Sequence, residues 1–114
     1  MVKEEKVLVI DDEAVIRDGC KRILAKEGLE VITASGGEEG LSAIEKSPQE
    51  IGTVLLDLKM PGMSGMEVLE KALAIEPSLP IVVITGYATV DSAVEAMKKG
   101  AYDFIPKPFT PDQL

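Results

Sequence analysis

The amino-acid sequence predicts a single α/β domain over residues 1–114, built on a doubly wound, five-stranded parallel sheet. Three observations predict this fold class. Short apolar runs rich in branched residues alternate five times with segments of helical periodicity. The connections between them are short, which favours right-handed crossovers and helices on both faces of the sheet. Acidic residues directly follow the first and third runs, as at the carboxyl edge of such a sheet, and the expected strand order is 2-1-3-4-5.

The five strands are predicted at residues 7–10, 30–34, 53–57, 81–85 and 102–105. After the first strand, apolar residues recur at helical spacing until Gly28 interrupts the pattern. These residues are Ile16, Cys20, Ile23 and Leu24. A weaker second helix is predicted at residues 38–46, with Leu41 and Ile44 facing inward.

The third and fourth helices are predicted from their capping signals. Ser64 and Glu67 have the spacing of a capping box, which starts the third helix. Its buried stripe is expected to consist of Met66, Leu69 and Leu73. Thr89 is a predicted cap for the fourth helix, and Gly100 is its predicted end. That helix carries Val90, Ala93, Val94 and Met97. The fifth strand runs into Pro106, which suits only an edge strand.

A fifth helix is started near the end of the sequence. Thr110 is a suitable cap and Pro111 suits the first helical position, yet the sequence stops at Leu114. Four or five residues cannot hold a helix alone, so we expect a truncated fifth helix. Part of the sheet face beside the first helix is then expected to lack its cover.

Composition restricts the classes of function. The formal net charge of -8 argues against direct nucleic-acid binding by this domain. The absence of histidine rules out an internal imidazole base, imidazole metal ligand or phosphohistidine. Cys20 is the single cysteine, which favours a core thiol and a reducing compartment. The charged residues 1–6 precede only four apolar residues, too few for a signal peptide or membrane span, so a soluble cytoplasmic protein is predicted.

Three aspartates are expected at one edge of the sheet. Strand order 2-1-3 places Asp11 and Asp12 beside Asp57. Two unit charges about 4 Å apart repel by roughly 4 kcal/mol at an effective dielectric constant of 20, so the cluster calls for a cation. An incomplete set of oxygen ligands suits Mg²⁺ better than Ca²⁺. The alternative is that Asp11, Asp12 and Glu13 simply start a helix, where acids interact favourably with its dipole.

Two further polar residues end strands at the same edge. Thr85 ends the fourth strand and Lys107 follows the fifth. Taken singly, the threonine is more often a helix cap and the lysine more often a solvated charge. Their joint arrival with three acids favours a functional site.

These motifs together resemble the receiver domain of two-component response regulators, over essentially the whole chain. The motifs are Asp11-Asp12, Asp57 followed by Met60-Pro61-Gly62, Thr85-Gly86, and Lys107-Pro108-Phe109. The resemblance implies the flavodoxin-like, CheY-like form of the predicted sheet. Residues 85–109 further resemble receivers of the NtrC-like class, which precede an AAA+ ATPase and a DNA-binding domain in transcription activators.

The resemblance implies a role for each matching residue. Asp57 would be the phosphoacceptor, attacking a phosphohistidine on a sensor histidine kinase. Asp12 would bind Mg²⁺ directly and Asp11 through water, with Asp57 and the backbone carbonyl of Lys59 as further ligands. Lys107 would pair with a phosphoryl oxygen. The chain would assist its own phosphorylation and dephosphorylation without being an enzyme in the usual sense.

A conformational switch is also implied. Thr85 would hydrogen-bond the phosphoryl group once it is in place, which opens space that Phe104 can fill. Phe104 can equally be an ordinary strand aromatic. The expected partners are the kinase, an effector domain or downstream protein, and a second copy of the chain through the face of helix four and strand five. No membrane partner is expected.

Three other functions compete with this interpretation. A haloacid-dehalogenase-like phosphatase also uses a strand-end aspartate, but it needs a second acid two residues later, where this chain has Lys59. In a flavodoxin, the first loop cradles a phosphate, which Asp11, Asp12 and Glu13 would repel. An interaction module that works without phosphorylation remains open, although it leaves the acid set without a purpose.

Overall fold

The computed structural model describes residues 6–46, 50–58, 60, 62–86 and 90–106. Its strands are β1 Lys6–Ile10, β2 Glu30–Ala34, β3 Ile51–Leu56, β4 Ile81–Thr85 and β5 Asp103–Pro106. Its helices are α1 Ala14–Lys26, α2 Gly37–Lys46, α3 Gly65–Ile75 and α4 Val90–Lys98. All neighbouring strands pair in parallel, in the order β2-β1-β3-β4-β5. The predicted fold class and strand order are confirmed, and none of the helices in these ranges combines the length and apolar character needed to cross a bilayer.

Side chains alternate along each strand and build a core on both faces of the sheet. On one face, Leu8 and Ile10 of β1 join a cluster with residues of α2, α3 and α4. On the other face, Val7 and Val9 pack with Cys20 of α1. Cys20 is therefore a buried core residue, as its sequence context predicts. With both faces apolar, the central strands are anchored from both sides.

Several predicted helix ends are confirmed in atomic detail. The Ser64 hydroxyl oxygen accepts a hydrogen bond from the backbone N–H of Glu67 at 3.3 Å, the first half of the capping box. The Glu67 carboxylate forms an ion pair with Lys71 one helical turn later, at 3.0 Å. Gly28 follows α1 with a φ of 81°, in the left-handed region where glycine ends helices without strain.

The buried face of α3 differs from the predicted stripe. In α3, Val68 and Ala72 are buried beside Leu69, whereas Met66 and Leu73 are only partly buried. The reason is that α3 packs against α2 as well as the sheet: a Cβ on Gly37 would stand 2.6 Å from the Val68 side chain.

In α4 two of the large apolar residues are on the surface. Val94 and Met97 are 46% and 47% exposed, and the buried residue is Ala96. Ala96 belongs to the core cluster, so the face of α4 that carries this small side chain is the one turned to the sheet. The predicted cap Thr89 lies outside the described residues.

The third strand begins two residues earlier than predicted. Lys6 pairs with Ile51, and the register then shifts so that Val7 pairs with Thr53. The Lys6 ammonium lies 3.4 Å from Glu30 and 3.5 Å from Glu50, joining the starts of three strands. Attraction by these two carboxylates, Glu30 first, raises the pKa of Lys6 above its ordinary value.

An open apolar groove lies on the sheet face beside α1. Its volume is about 280 Å³, and Leu24, Leu55 and Ile105 are among the residues that line it. The predicted fifth helix, with Thr110 and Pro111, lies outside the described residues. The expectation that this face awaits a cover therefore stays a prediction.

The fold predicts that shortening a buried side chain lowers stability much more than shortening an exposed one. Ile44 is completely buried between α2 and the sheet, so Ile44→Ala should lower the free energy of unfolding by about 2 to 5 kcal/mol. Val15, at 81% exposure on α1, is the matched control, and Val15→Ala should change the free energy by less than about 0.5 kcal/mol. Urea unfolding followed by circular dichroism measures both, and equal losses would contradict the described core.

Candidate functional site

The strand register brings two acids side by side. Ile10 of β1 pairs with Leu56 of β3, so Asp11 and Asp57 directly follow paired residues. The backbone N–H of Asp57 donates to the Ile10 carbonyl at 3.0 Å, and that of Asp11 donates to the Ala34 carbonyl at 3.1 Å. The hydrogen-bond ladder thus continues past the strand ends. Asp11 and Asp57 are only 0% and 3% exposed, so both carboxyl groups are held in a nearly buried position.

Four carboxyl groups converge at this edge. One oxygen from each of Asp11, Asp12, Glu13 and Asp57 lies within 4.8 Å of the others. Asp12 and Glu13 are exposed, so the cluster is buried on one side and open to water on the other. The three predicted aspartates are brought together, and Glu13 joins them.

The loop between β1 and α1 tests whether Asp11, Asp12 and Glu13 simply start a helix. A carboxylate oxygen of Asp11 accepts a hydrogen bond from the backbone N–H of Glu13 at 2.9 Å, which fixes the turn into α1. Glu13 occupies the N-cap position, but its side chain makes no cap hydrogen bond, and the first turn of the helix contains no acid. A side-chain cap therefore does not account for Glu13, whereas a favourable interaction with the dipole of α1 is still available to it.

Arg17 is a site neighbour that the sequence interpretation missed. Its guanidinium Nη1 donates to the backbone carbonyl of Asp11 at 2.7 Å. The signal available in the sequence was a basic residue one helical turn beyond three consecutive acids. That pattern alone does not say whether the side chain turns back toward the loop.

Gly65 is a second missed residue, at the start of α3. Its backbone N–H donates to the Leu58 carbonyl at 2.8 Å. A Cβ at this position would stand 2.3 Å from the Asp57 carbonyl oxygen and 2.4 Å from the Cα of Leu58. Only glycine lets α3 pack directly against the peptide that carries Asp57.

Thr85 and Phe104 lie on the neighbouring strands. Thr85 is the completely buried last residue of β4. Val83 pairs with Leu56 on one side and with Phe104 on the other. Thr85 therefore lies one residue beyond the level of Asp57, and the partly buried Phe104 packs against the core on the α2–α4 face.

Two predicted site residues, Lys59 and Lys107, lie outside the described residues. Their roles stay predictions. Among the described residues, the acid cluster offers only oxygen donors, half buried and half open to water. That donor chemistry fits a hard divalent cation such as Mg²⁺, which binds a few carboxylates and keeps several waters.

Comparison with known proteins gives a consistent result. The family model described as the response regulator receiver domain matches residues 7–114. The DNA-binding transcriptional regulator NtrC of Salmonella typhimurium is 37% identical over 107 residues, which is 94% of this chain. The chain spans 22% of that regulator and 23% of another curated relative, less than a quarter of the length of each.

Solved structures agree with the family match. The receiver domain of NtrX from Brucella abortus is 39% identical, with a TM-score of 0.87, and the match covers 95% of this chain and 90% of that one. A response regulator from Burkholderia pseudomallei, described with a phosphorylated aspartic acid, a calcium ion and citrate, is 29% identical with a TM-score of 0.87. That match covers 96% of this chain and 63% of the other.

The packing at Gly65 can be tested against a matched glycine. Gly65→Ala should lower the free energy of unfolding by about 1 to 3 kcal/mol, because the added methyl group collides with the backbone of Asp57 and Leu58. Gly19→Ala, within α1, meets nothing within 4 Å and should raise stability by up to about 1 kcal/mol. Urea unfolding measures the two changes. If their signs agree, the close approach of α3 to the Asp57 peptide is not as described.

Proposed function

The chain belongs to the response regulator receiver domain family, and on that premise we propose that it is a phosphorylation-dependent signalling switch with Asp57 as the phosphoacceptor. The family consists of signalling switches and not of typical enzymes. The observation that carries the proposal is the position of the Asp57 carboxylate, almost buried and directly beside three further acids. A related structure described with a phosphorylated aspartic acid supports the same chemistry.

The reaction proposed for Asp57 is an in-line phosphoryl transfer. A carboxylate oxygen of Asp57 forms the new bond to phosphorus, and the phosphorus–nitrogen bond of a phosphohistidine breaks. The chain contains no histidine, so the donor belongs to a partner, which we take to be a sensor histidine kinase. The hydrogen-bond ladder that continues to the Asp57 N–H holds the nucleophile in place for this attack.

The proposed cofactor is Mg²⁺. Asp12 and Asp57 would hold it directly and Asp11 through water, with the Lys59 carbonyl as a further ligand. When bound, the ion neutralises negative charge on the phosphoryl oxygens and relieves the repulsion among the carboxylates. The exposed Asp12 carboxylate lies where water and a phosphoryl donor can still reach the site.

The proposed switch connects Asp57 to the surface of α4 and β5. Phosphorylation adds roughly one and a half to two negative charges, which Lys107 and the Thr85 hydroxyl would meet. Thr85 and Phe104 belong to adjacent strands and share the same face of the sheet. A shift of the buried Thr85 would thus leave space on the side where Phe104 packs.

The proposed output surface is the outer face of α4. Val94 and Met97 leave nearly half of their side-chain surface exposed there. An effector domain, a downstream protein or a second copy of this chain would bind this face. Relatives such as NtrC are transcriptional regulators, so regulation of transcription is the proposed output. The net charge of -8 disfavours DNA binding by this domain, so we propose that another domain contacts DNA. The proposed location is the cytoplasm.

The phosphoacceptor is tested with a small-molecule phosphodonor such as acetyl phosphate and Mg²⁺. One phosphoryl group per chain is expected, and Asp57→Asn should abolish labelling because the nucleophilic carboxylate is lost. Asp18→Asn makes the same substitution at an exposed acid on α1, and this variant should be labelled normally. Intact-protein mass spectrometry measures the adduct, and unchanged labelling of the Asp57 variant would refute the assignment.

The switch is tested with variants that can still be phosphorylated but should show a weaker conformational response at α4. Thr85→Val and Lys107→Ala should still be labelled to some extent, but the phosphate-induced change in amide hydrogen exchange at α4 should be weaker. Thr85→Ser keeps the hydroxyl and serves as the matched control. If both variants retain the full change in exchange, the proposed connection between the phosphate and α4 is wrong.

A further inference from the structure

Arg17 makes a contact that the proposed reaction has not yet used. It lies on the first turns of α1, half-buried, and its guanidinium turns back over the preceding loop. Nη1 donates to the Asp11 carbonyl at 2.7 Å, a short, charge-assisted hydrogen bond across six residues of chain. The hydrogen bond restrains the loop, and the long Arg17 side chain loses conformational entropy when it forms.

The carbonyl that Arg17 holds belongs to the peptide joining Asp11 to Asp12. On one side, the N–H of Asp11 is fixed to β2 through the Ala34 carbonyl. On the other side, the Asp11 carboxylate is fixed by the N–H of Glu13. The Arg17 bond fixes the orientation of the peptide plane between them. Because a peptide is planar, the same bond fixes the direction in which the chain enters Asp12.

We propose that Arg17 is a positioning residue for the cation site, acting through the Asp11–Asp12 peptide to aim the exposed Asp12 carboxylate at Asp57. The inference rests on the proposed Mg²⁺-dependent function of that site. Arg17 would then be a residue outside the acid cluster that contributes to cation binding. Partners that orient metal ligands commonly contribute ten- to hundredfold in affinity, which sets the size of the expected effect.

The sign of the effect separates positioning from simple charge. The guanidinium is a cation close to four carboxyl groups, so by its charge alone it repels a metal ion and weakens binding. Removing it would then tighten Mg²⁺ binding. If Arg17 acts by positioning, its removal loosens the loop and weakens Mg²⁺ binding instead.

The experiment titrates the unphosphorylated protein with Mg²⁺ alone, by calorimetry and by amide chemical shifts. Arg17→Ala should weaken binding by about ten- to hundredfold and shift the amide signals of Asp12 and Glu13 before metal is added. Arg17→Lys keeps a donor and the charge on an unbranched stem, and should recover part of the affinity. Arg22→Ala removes the same charge from an exposed position on the same helix and should stay within about twofold of the parent.

Unchanged or tighter Mg²⁺ binding by Arg17→Ala overturns the proposal, and so does an equal loss in Arg22→Ala. If Arg17→Ala does not fold, Arg17→Met carries the same test, since it keeps a long apolar side chain and lacks the guanidinium. No phosphodonor is present in these titrations. Failure of Asp57 labelling and failure of the Arg17 effect are therefore separate results.

Discussion

The crowding of negative charge at the ends of two adjoining strands is the constraint on which the rest of this structure depends. Asp11 and Asp57 are almost removed from solvent and lie in register, so neither carboxylate can relax into water. Repulsion of about 4 kcal/mol for a pair about 4 Å apart is a large fraction of the 5 to 15 kcal/mol that typically stabilises a domain. The fold must therefore hold these groups rigidly and supply donors to them.

Among the described residues, backbone contacts hold the acids in place. Ladder hydrogen bonds extend one residue past β1 and β3, and the Glu13 N–H turns toward the Asp11 carboxylate. Gly65 lets α3 lie against the Asp57 peptide. These backbone contacts fix the positions of the acids. Backbone N–H groups carry no net charge, so a site positioned in this way can still attract a cation.

Much of the fold and the acid set could be predicted from the sequence, because both depend on local signals. Apolar runs that stop at acids mark strand ends, and strand order then places Asp11, Asp12 and Asp57 together. Arg17, Gly65 and the membership of Glu13 could not be predicted in the same way. A half-buried arginine and a solvated one look alike in a sequence, and a tight glycine is known only from what it touches. The inner face of α4 is likewise known only from the structure, where Ala96 is buried and Val94 and Met97 are exposed.

The shallow burial of α4 is relevant to the proposed switch. Among the residues of α4 whose side chains the structure describes, Ala96 alone is fully buried, whereas α3 buries Val68, Leu69 and Ala72. Burial of apolar area contributes roughly 25 cal/mol per Å², so the described side chains of α4 contribute less burial free energy than those of α3. Elements with few buried apolar contacts are the ones that open or shift at low cost. The acid cluster thus lies at the ends of the buried strands β1 and β3, while the helix proposed to respond buries fewer of its described side chains than α3 does.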